Sequence, residues 1–440
     1  MTTVTAAADP LLVDILRRLA RSLDLQFGLR LWDGSDIAPA NGDSPVRIVI
    51  ADEGALASLV RRPSLDTFVR LHLEGRIDWP GATIFDLADL RPRAKIKPIL
   101  REIGLTRLAR AGWRLWRMKE APQIEAGQGD SSRRRAGDAA TNSANISQHY
   151  DVSNAFYQLF LDERMVYTCA YFSPDFHDDI ERAQRDKLDV SCRKLRLKRG
   201  QRLLDIGCGW GALIRHAATH YGVEALGVTL SKEQAELARA RIEADGLGDR
   251  VRVKVVDFNA LQEESFDAIS SIGMFEHVGL AHHARYFEGV RRLLKPGGLY
   301  LHHAITRPAK GTDAQFRRMR PEYRAILRYV FPGAELDHIG MSVANLERAR
   351  FEVHDVEGWR MHYAATTKLW HDRLLARRAE AEREVGERTT RLYLIYLGGV
   401  SLGFARGSIL VNQTLASRRD HGRQNVPATR ADLYATAPPK

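Results

Sequence analysis

Strand-like and helix-like patterns alternate through the second half of this chain. Apolar residues predict strands at 202–206, 225–229, 251–256, 266–272 and 299–305, because buried parallel strands are rich in apolar side chains. Between them, apolar residues recur at helical spacing, and one predicted helix begins after Ser231, a favourable N-cap. This alternation predicts an α/β fold with a doubly wound parallel sheet that binds ligands at the carboxyl ends of its strands.

The first part of the chain has a mixed pattern. A helix is predicted by LLVDILRRLA, strands by PVRIVIAD and by the region Thr67–Leu71, and a turn-rich connection by Gly75–Gly81. Residues 123–145 are small and polar, cannot bury a core, and predict a flexible linker. We therefore expect a smaller α+β domain at 1–122, the linker, and a second domain at 146–440.

Composition favours a folded intracellular protein. Of the 440 residues, 44% are hydrophobic and 28% charged, which is typical of globular domains. Cys169, Cys192 and Cys208 lack the paired spacing of a disulfide framework or a zinc site, so we expect a reducing cytoplasm and no metal. The apolar run Leu392–Ala405 is too short for a membrane span, and the N-terminus does not resemble a signal peptide.

The net charge of +11 is concentrated near the predicted linker. Arg91–Lys119 holds ten lysines and arginines against one acid. On a helical wheel, one face carries Leu105, Leu108, Ala109, Gly112, Trp113 and Trp116, and the other carries Arg107, Arg110, Arg114 and Arg117. A basic amphipathic helix of this kind suits an anionic membrane interface; a helix docked on the protein's own core is the structural alternative. No nucleic-acid-binding motif accompanies it.

A glycine-rich loop follows the first predicted strand of the second half. Gly207, Gly209 and Gly211 stand between strand and helix, where glycine allows a tight turn and close approach to a ligand at the helix N-terminus. A dinucleotide site requires an acid at the end of the next strand, but the chain has Thr229 there. Asp205 and the acid at 257 instead fit a nucleoside site of the methyltransferase type.

An aromatic cluster precedes this loop. Residues 150–176 contain eight aromatic side chains, which are typical of a packed core but also suit a helical cap lining an acyl tunnel. Cys169 lies within the cluster. A lone cysteine is more often an inert apolar side chain than a reactive one, so both interpretations stay open here.

Six motifs then give a specific resemblance. They are, in order, QHYDVSNAFYQLFLDERMVYTCAYFSPD, LLDIGCGWGAL, GVTLSKEQ, SIGMFEHVG, HYAATTKLW and SILVNQTL. This series resembles the cyclopropane fatty acid synthases and mycolic acid cyclopropane synthases over about residues 146–420. The resemblance implies a class I methyltransferase-type sheet with a helical cap, and transfer of a methylene unit from S-adenosylmethionine to the cis double bond of an unsaturated phospholipid. A methyl-branched or methylene product is the alternative, and a binding protein on an inactive scaffold is a competitor.

The resemblance also implies individual residues. With Asp205, the cofactor-binding positions are Tyr167, Thr168, Gly207, Gly209, Gly211, Thr229, Leu230, Gln234, Asp257 and Phe258. A bicarbonate ion is implied as the second bound group, held by Cys169, Glu276, His303, Tyr363 and the backbone at Ile272. His303 matches the family pattern, and strand alternation places His302 on the opposite side. Thr367 departs from the leucine common in the family.

The implied chemistry needs a dry pocket. Methyl transfer to an alkene develops a carbocation, which water would capture and aromatic faces stabilise. Bicarbonate can then act as the base that permits ring closure. The implied partners are an unsaturated phospholipid and the anionic inner face of the membrane, without nucleic acid; a homodimer is left open.

Overall fold

The computed structural model describes residues 7–40, 44–90, 105–117, 152–173, 179–262, 265–422 and 426–434. Contacts divide the chain into two compact units. The first contains 1–130, 319–329 and 386–402; the second contains 131–318, 330–385 and 403–440. The predicted linker at 123–145 lies outside the described residues, so the division at 122 and 146 stays a prediction.

The first unit is built on a small mixed sheet. Its strands are β1 (Gly28–Arg30), β2 (Asp36–Ile37), β3 (Arg47–Ile50) and β4 (Ile77–Asp78), in the order β2-β1-β3-β4. Only β1 and β3 run parallel among these pairs. Its helices are Pro10–Ser22, Glu53–Arg61, Leu65–Leu73, Ile84–Asp89, Leu105–Arg117 and Pro321–Tyr329. The predicted α+β class of this unit is confirmed.

One predicted strand in the first unit is wrong. Thr67–Leu71 lies inside helix Leu65–Leu73, which begins where Ser64 Oγ accepts the backbone N–H of Thr67 at 3.1 Å. The alternation of apolar residues suggested a strand. The serine cap and the packing of Phe68 against Trp79, with ring centroids 5.7 Å apart, favour the helix instead.

The second unit contains the predicted doubly wound sheet. Its strands are β5 (Arg202–Ile206), β6 (Glu224–Thr229), β7 (Val251–Val255), β8 (Phe266–Ile272), β9 (Leu294–Thr306), β10 (Phe351–Gly358) and β11 (Leu410–Arg418). The order is β10-β11-β9-β8-β5-β6-β7, and β11 runs antiparallel to both neighbours. Because β6 and β8 flank β5 on opposite sides, a crevice forms at the carboxyl ends of these strands.

Helices cover both faces of this sheet. They are Asn154–Gln158, Ile180–Lys194, Ala212–Tyr221, Lys232–Ala244, His283–Leu293, Asp313–Arg317, Ile339–Arg348, Arg360–Ala376 and Ala431–Tyr434. Helix Arg378–Ala405 is interrupted by Gly386, whose φ is 82°. Two separate apolar clusters, one around Leu203 and one around Leu204, pack on the two faces, because successive side chains of a strand point to opposite sides.

The basic helix is confirmed, but it does not dock through its tryptophans. Leu115 is buried in the core of the first unit, and Arg114 pairs with Asp9 at 2.7 Å. Trp113 and Trp116 are 64% and 61% exposed. The side that carries Leu115 therefore packs on the unit, and the tryptophan side faces outward. None of the helices in the described part of the chain is long and apolar enough to span a bilayer.

Candidate active site

A cavity of about 390 Å³ lies at the carboxyl ends of β5, β6 and β8. Its volume falls in the range of about 300 to 1,000 Å³ typical of small-molecule sites. The predicted cofactor residues that line it are Tyr167, Thr168, Asp205, Gly207, Gly209, Thr229, Leu230, Gln234, Asp257 and Phe258. Gly211 does not line the cavity; it is the N-cap of the following helix. Ile272, predicted for the anion site, also lines this cavity.

The glycine loop forms one wall of the cavity. Gly207 and Gly211 have φ values of 80° and 81°, in the left-handed region that side chains other than glycine rarely adopt. A Cβ atom on Gly207 would lie 2.9 Å from the side chain of Met274. The loop needs glycine at this position both for its conformation and for this close approach.

Polar groups at the ends of β6 and β7 form a second wall. Thr229 Oγ1 donates to Gln234 Oε1 at 3.0 Å and accepts the N–H of Ser231 at 3.2 Å. Asp257 Oδ1 accepts the N–H of Asn259 at 2.8 Å. Where a dinucleotide site would have an acid, β6 ends in Thr229, which is hydrogen-bonded to Gln234 of the following helix. The carboxylate of this wall is that of Asp257, after β7.

The aromatic cluster is packed core. Phe156, Tyr157 and Phe160 have no exposed surface, and the Tyr157 ring lies 5.2 Å from those of both Tyr167 and Trp210. These contacts hold Tyr167 and the glycine loop in place. The described contacts therefore favour the core interpretation over that of an acyl tunnel for these three side chains.

A second cluster of predicted residues surrounds Trp359, which is fully buried. The thiol of Cys169 lies 3.8 Å from the carbonyl oxygen of Trp359 and 3.3 Å from that of Ala170. The ring of His303 lies 5.2 Å from the Trp359 ring. On the neighbouring strand, Gln413 Nε2 is 3.4 Å from His303 Nδ1. Cys169 and His303 therefore share one neighbour although 134 positions of sequence separate them.

Glu276 reaches the same strand as His303. Its Oε1 atom accepts the backbone N–H of Ile305 at 2.6 Å, two residues beyond His303 on β9. Glu276 Oε2 and His303 Nε2 are buried and have no hydrogen-bond partner among the described residues. His302, by contrast, lies 3.1 Å from the hydroxyl of Tyr300, so the two histidines contact different partners.

Tyr363 joins the cluster from helix Arg360–Ala376. Its backbone N–H donates to the carbonyl of Trp359 at 3.0 Å, and its ring stacks on Phe404 at 4.5 Å. Thr367 Oγ1 donates back to the carbonyl of Tyr363 at 2.7 Å. Thr367 is thus satisfied within its helix, one turn after the tyrosine.

Burial sets the protonation of this second cluster. It raises the pKa of the Cys169 thiol well above its usual value, so the sulfur is a hydrogen-bond donor and not a thiolate nucleophile. Burial raises the pKa of Glu276 to about 7, against a lowering by the Ile305 N–H. Burial also lowers the pKa of His303, which keeps the imidazole neutral. The cluster can therefore hold a small anion with a thiol, a carboxyl group and a neutral imidazole.

Three residues of the site escaped sequence reasoning. Lys187 lines the cavity, and Gln184 bonds to the backbone of Val166 and Thr168. Ile305 contributes only its backbone N–H. Because nearly every residue type has this group, the sequence does not indicate which position supplies it. Lys187 and Gln184 had a weak signal, because both interrupt the apolar face of helix Ile180–Lys194. The described residues contain no group of three or more His, Cys, Asp or Glu placed to hold a metal ion.

Comparison with known proteins shows the family to which this chain is related. A family model described as mycolic acid cyclopropane synthetase matches residues 138–414. A probable fatty acid methyltransferase from Pseudomonas putida is 38% identical over 94% of this chain and 98% of its own length. A cyclopropane-fatty-acyl-phospholipid synthase from Escherichia coli K12 is 36% identical over 62% of this chain and 67% of its own length.

A solved structure of a mycolic acid cyclopropane synthase, complexed with SAH and CTAB, is also similar. It is 35% identical, with a TM-score of 0.59, and the match covers 62% of this chain and 98% of that one. Its similarity places the second unit among the class I methyltransferase folds and supports S-adenosylmethionine as the cofactor of the cavity.

Proposed function

This chain belongs to the mycolic acid cyclopropane synthetase family, and from that membership we propose that it converts the cis double bond of an unsaturated phospholipid acyl chain into a cyclopropane ring. The methylene unit comes from S-adenosylmethionine. The observation that carries the proposal is the adjacency of two sites. Tyr167 and Thr168 line the cofactor cavity, and the next residue, Cys169, belongs to the buried cluster around Trp359.

The cavity residues bind and orient the cofactor. S-adenosylmethionine supplies an electrophilic methyl group on a sulfonium ion when it is bound. Asp205, held by Ser270 Oγ at 2.7 Å, places a carboxyl group at the end of β5, and the helix N-terminus after Gly211 favours the carboxylate of an amino acid. The polar ends of β6 and β7 suit the hydroxyl groups of a ribose.

The Trp359 cluster fits a bicarbonate ion. Two buried polar atoms, His303 Nε2 in the cluster and Glu276 Oε2, whose carboxyl group is bonded to the same strand, have no partner among the described residues. Such atoms are costly unless a bound group satisfies them. A bicarbonate ion would supply the base that removes a proton from the transferred methyl group. Cys169 and Tyr363 would donate hydrogen bonds to it, and Glu276 and His303 would hold and polarise it.

Exclusion of water supports the same reaction. Cys169 and Trp359 have no exposed surface, and His303 is only 2% exposed. A carbocation on the acyl chain would survive beside such side chains long enough to lose a proton, and aromatic faces stabilise it. Addition of water, which would give an alcohol, is suppressed by the dry surroundings.

A second product has a specific observation in its favour. The relative that matches along nearly the whole chain is named a probable fatty acid methyltransferase. The same carbocation gives a methylene branch when a hydride shifts to the cationic carbon and the added methyl group then loses a proton. It gives a methyl-branched alkene when a proton leaves from a carbon of the acyl chain instead. The presence of all four residues, Cys169, Glu276, His303 and Tyr363, supports the ring, because together they would hold one base beside the transferred carbon.

Membrane engagement belongs to the same proposal. Trp113 and Trp116 face outward from helix Leu105–Arg117, and Arg110 and Arg117 are exposed beside them. Indole rings partition to the headgroup region of a bilayer, and arginine favours anionic headgroups. This helix therefore presents a surface suited to the inner face of an anionic phospholipid membrane.

The decisive experiment is a product analysis. Purified protein is incubated with S-adenosylmethionine and vesicles of a monounsaturated phospholipid, and the lipid is analysed by mass spectrometry and gas chromatography. We expect a gain of one CH2 group with the retention time of a cyclopropane fatty acid. A branched or methylene product would select the second candidate, and no mass gain would reject both.

A further inference from the structure

Two lysines on helix Ile180–Lys194 are buried beside the proposed anion site. Lys187 and Lys194 are only 3% and 4% exposed. They are seven residues apart and therefore lie on the same face of the helix. Lysine is rarely buried to this degree, because its ammonium group loses its hydration. Neither lysine has a role in the mechanism described above.

Lys187 holds the segment that the two sites share. Its Nζ atom donates to Thr168 Oγ1 at 2.9 Å, directly before Cys169 in the chain. One turn earlier on the same helix, Gln184 Nε2 donates to the carbonyl of Thr168 at 3.0 Å and to that of Val166 at 3.3 Å. The ammonium group of Lys187 is thereby fixed next to Cys169.

Lys194 approaches the same cluster from the side of Trp359. Its Nζ atom lies 5.2 Å from the centre of the Trp359 ring and pairs with the carboxylate of Glu357. The Trp359 ring lies against His303, and its carbonyl oxygen faces the thiol of Cys169. Two ammonium groups therefore flank the cluster that contains Cys169 and His303.

The counter-charges leave positive potential in the cluster. Asp205, which interacts with Lys187, lines the cofactor cavity, where it would also face the sulfonium ion of bound S-adenosylmethionine. Glu357, the partner of Lys194, has 36% of its side chain exposed. Solvent therefore screens the negative charge of Glu357 more strongly than the positive charge of the buried Lys194 ammonium group. Burial is the main cause that lowers the pKa of His303, and the positive charges of Lys187 and Lys194 are the next two causes. Both ammonium groups therefore act on the cluster.

We propose that Lys187 and Lys194 are positioning residues that supply the positive charge which draws bicarbonate into the cluster around Trp359. The inference rests on the proposed function, since it assumes that the cluster holds this anion. Without these charges, an anion would have to enter a buried site beside a carboxyl group, Glu276, at a high desolvation cost. With them, the buried ion is paired on two sides.

The test uses Lys187→Met, Lys194→Met and the charge-balanced double variant Lys194→Met/Glu357→Gln. Arg185→Met is the matched control, because Arg185 is an exposed cation on the same helix. In buffer depleted of carbon dioxide, the full-length protein is titrated with sodium bicarbonate. Two quantities are measured: the rise in Tm that bicarbonate produces and the bicarbonate concentration at half-maximal turnover. The Kd of S-adenosylmethionine is measured by calorimetry.

We expect each lysine variant to need roughly ten- to a hundredfold more bicarbonate, the effect of losing an interaction with a charged group. In the Lys194 variants the Kd of S-adenosylmethionine should change only a few-fold, because Lys194, unlike Lys187, is not among the residues that line the cofactor cavity. Lys194→Arg, which keeps the charge, should restore most of the bicarbonate response. Variants with reduced turnover and an unchanged bicarbonate response would overturn the inference alone. A wild-type protein with no bicarbonate response would overturn the anion in the proposed function, and the inference with it. If Lys187→Met does not fold, the Lys194 variants decide the matter.

Discussion

The carboxylate of Glu276 accepts the backbone N–H of Ile305 at 2.6 Å, and its second oxygen is buried without a partner among the described residues. Half of this carboxyl group is therefore fixed to strand β9, and the other half is available to a bound group. The arrangement has consequences for both activity and stability.

Glu276→Gln and His303→Ala should each abolish most of the turnover. Both remove a group that faces the proposed anion, whereas the residues that line the cofactor cavity are unchanged, so the Kd of S-adenosylmethionine should stay within a few-fold. Calorimetry and a single-turnover assay measure the two quantities. His302→Gln is the control, because His302 lies on the same strand and contacts Tyr300 instead. Normal turnover in either site variant would refute the assignment.

Glu276 should also make stability depend on pH. Its pKa is raised from 4.5 to about 7 in the folded chain, so the folded state holds its proton more strongly than the unfolded state. The stabilisation is complete below pH 4.5 and is lost as the pH rises through 7, and it amounts to roughly 3 kcal/mol at about 1.4 kcal/mol per pKa unit. Urea unfolding at pH 5 and pH 8 should show a smaller decrease for Glu276→Gln than for wild type. Glu335→Gln, at an exposed position nearby, should behave like wild type.

Gly207→Ala should weaken cofactor binding by more than tenfold. Its Cβ would meet Met274 at 2.9 Å in a backbone with φ of 80°, so the loop must shift. Gly200→Ala is a close control, since Gly200 has φ of 79° and no atom within 4 Å of the added Cβ. Both variants should lose about 1 kcal/mol of stability from the left-handed backbone, but only Gly207→Ala should change the Kd. Equal Kd values would contradict the role given to the loop.

Cys169 should resist alkylation in the native protein. Burial raises the pKa of all three thiols, Cys169, Cys192 and Cys208, and only a thiolate reacts rapidly. Mass spectrometry after treatment with iodoacetamide should show far less than one label per chain, and complete labelling in urea. Rapid native labelling at Cys169 would show that the cluster is open to water.

Trp113→Ser combined with Trp116→Ser should weaken binding to anionic vesicles by roughly tenfold or more, because two exposed indole rings leave the headgroup region. Vesicle co-sedimentation at low salt measures the effect. Val60→Ser, at an exposed apolar position of the same unit, should leave binding unchanged. Reversing Arg107 and Arg114 is a poorer test, because both pair with acids of their own unit. Unchanged sedimentation of the tryptophan variant would assign this helix a structural role only.

The sheet was predictable because its strands are short, buried and separated by helices of regular period. Strands β5 and β8 have the predicted ends, 202–206 and 266–272. Thr67–Leu71 was mistaken for a strand, because Val69, Leu71 and Leu73 alternate by chance with Arg70 and His72 within a capped helix. The local sequence pattern also gives no information about the tertiary contact between the Trp79 ring and this helix, which favours the helical conformation.

The site was predictable where side-chain identity carries the chemistry. Tyr167, Asp257, Gly207 and Gly209 line the cavity, whereas Gly211 does not; their binding of the cofactor stays a prediction. Ile305 was missed because it acts through its N–H, and Lys187 because lysine on an amphipathic helix normally faces water. The sequence left open whether the tryptophan side of helix Leu105–Arg117 docks or faces outward, since a helical wheel separates two faces without showing which of them docks.

Tyr167, Thr168 and Cys169 are consecutive, so no residue separates the lining of the cofactor cavity from the cluster around Trp359. Any redesign that enlarges the cofactor cavity, for example to accept a bulkier sulfonium reagent, displaces a backbone that also carries the thiol of the neighbouring cluster. Under the proposed function, the range of accepted sulfonium reagents and the accuracy of ring formation therefore depend on the same backbone segment, and directed evolution of one will need compensating substitutions in the other.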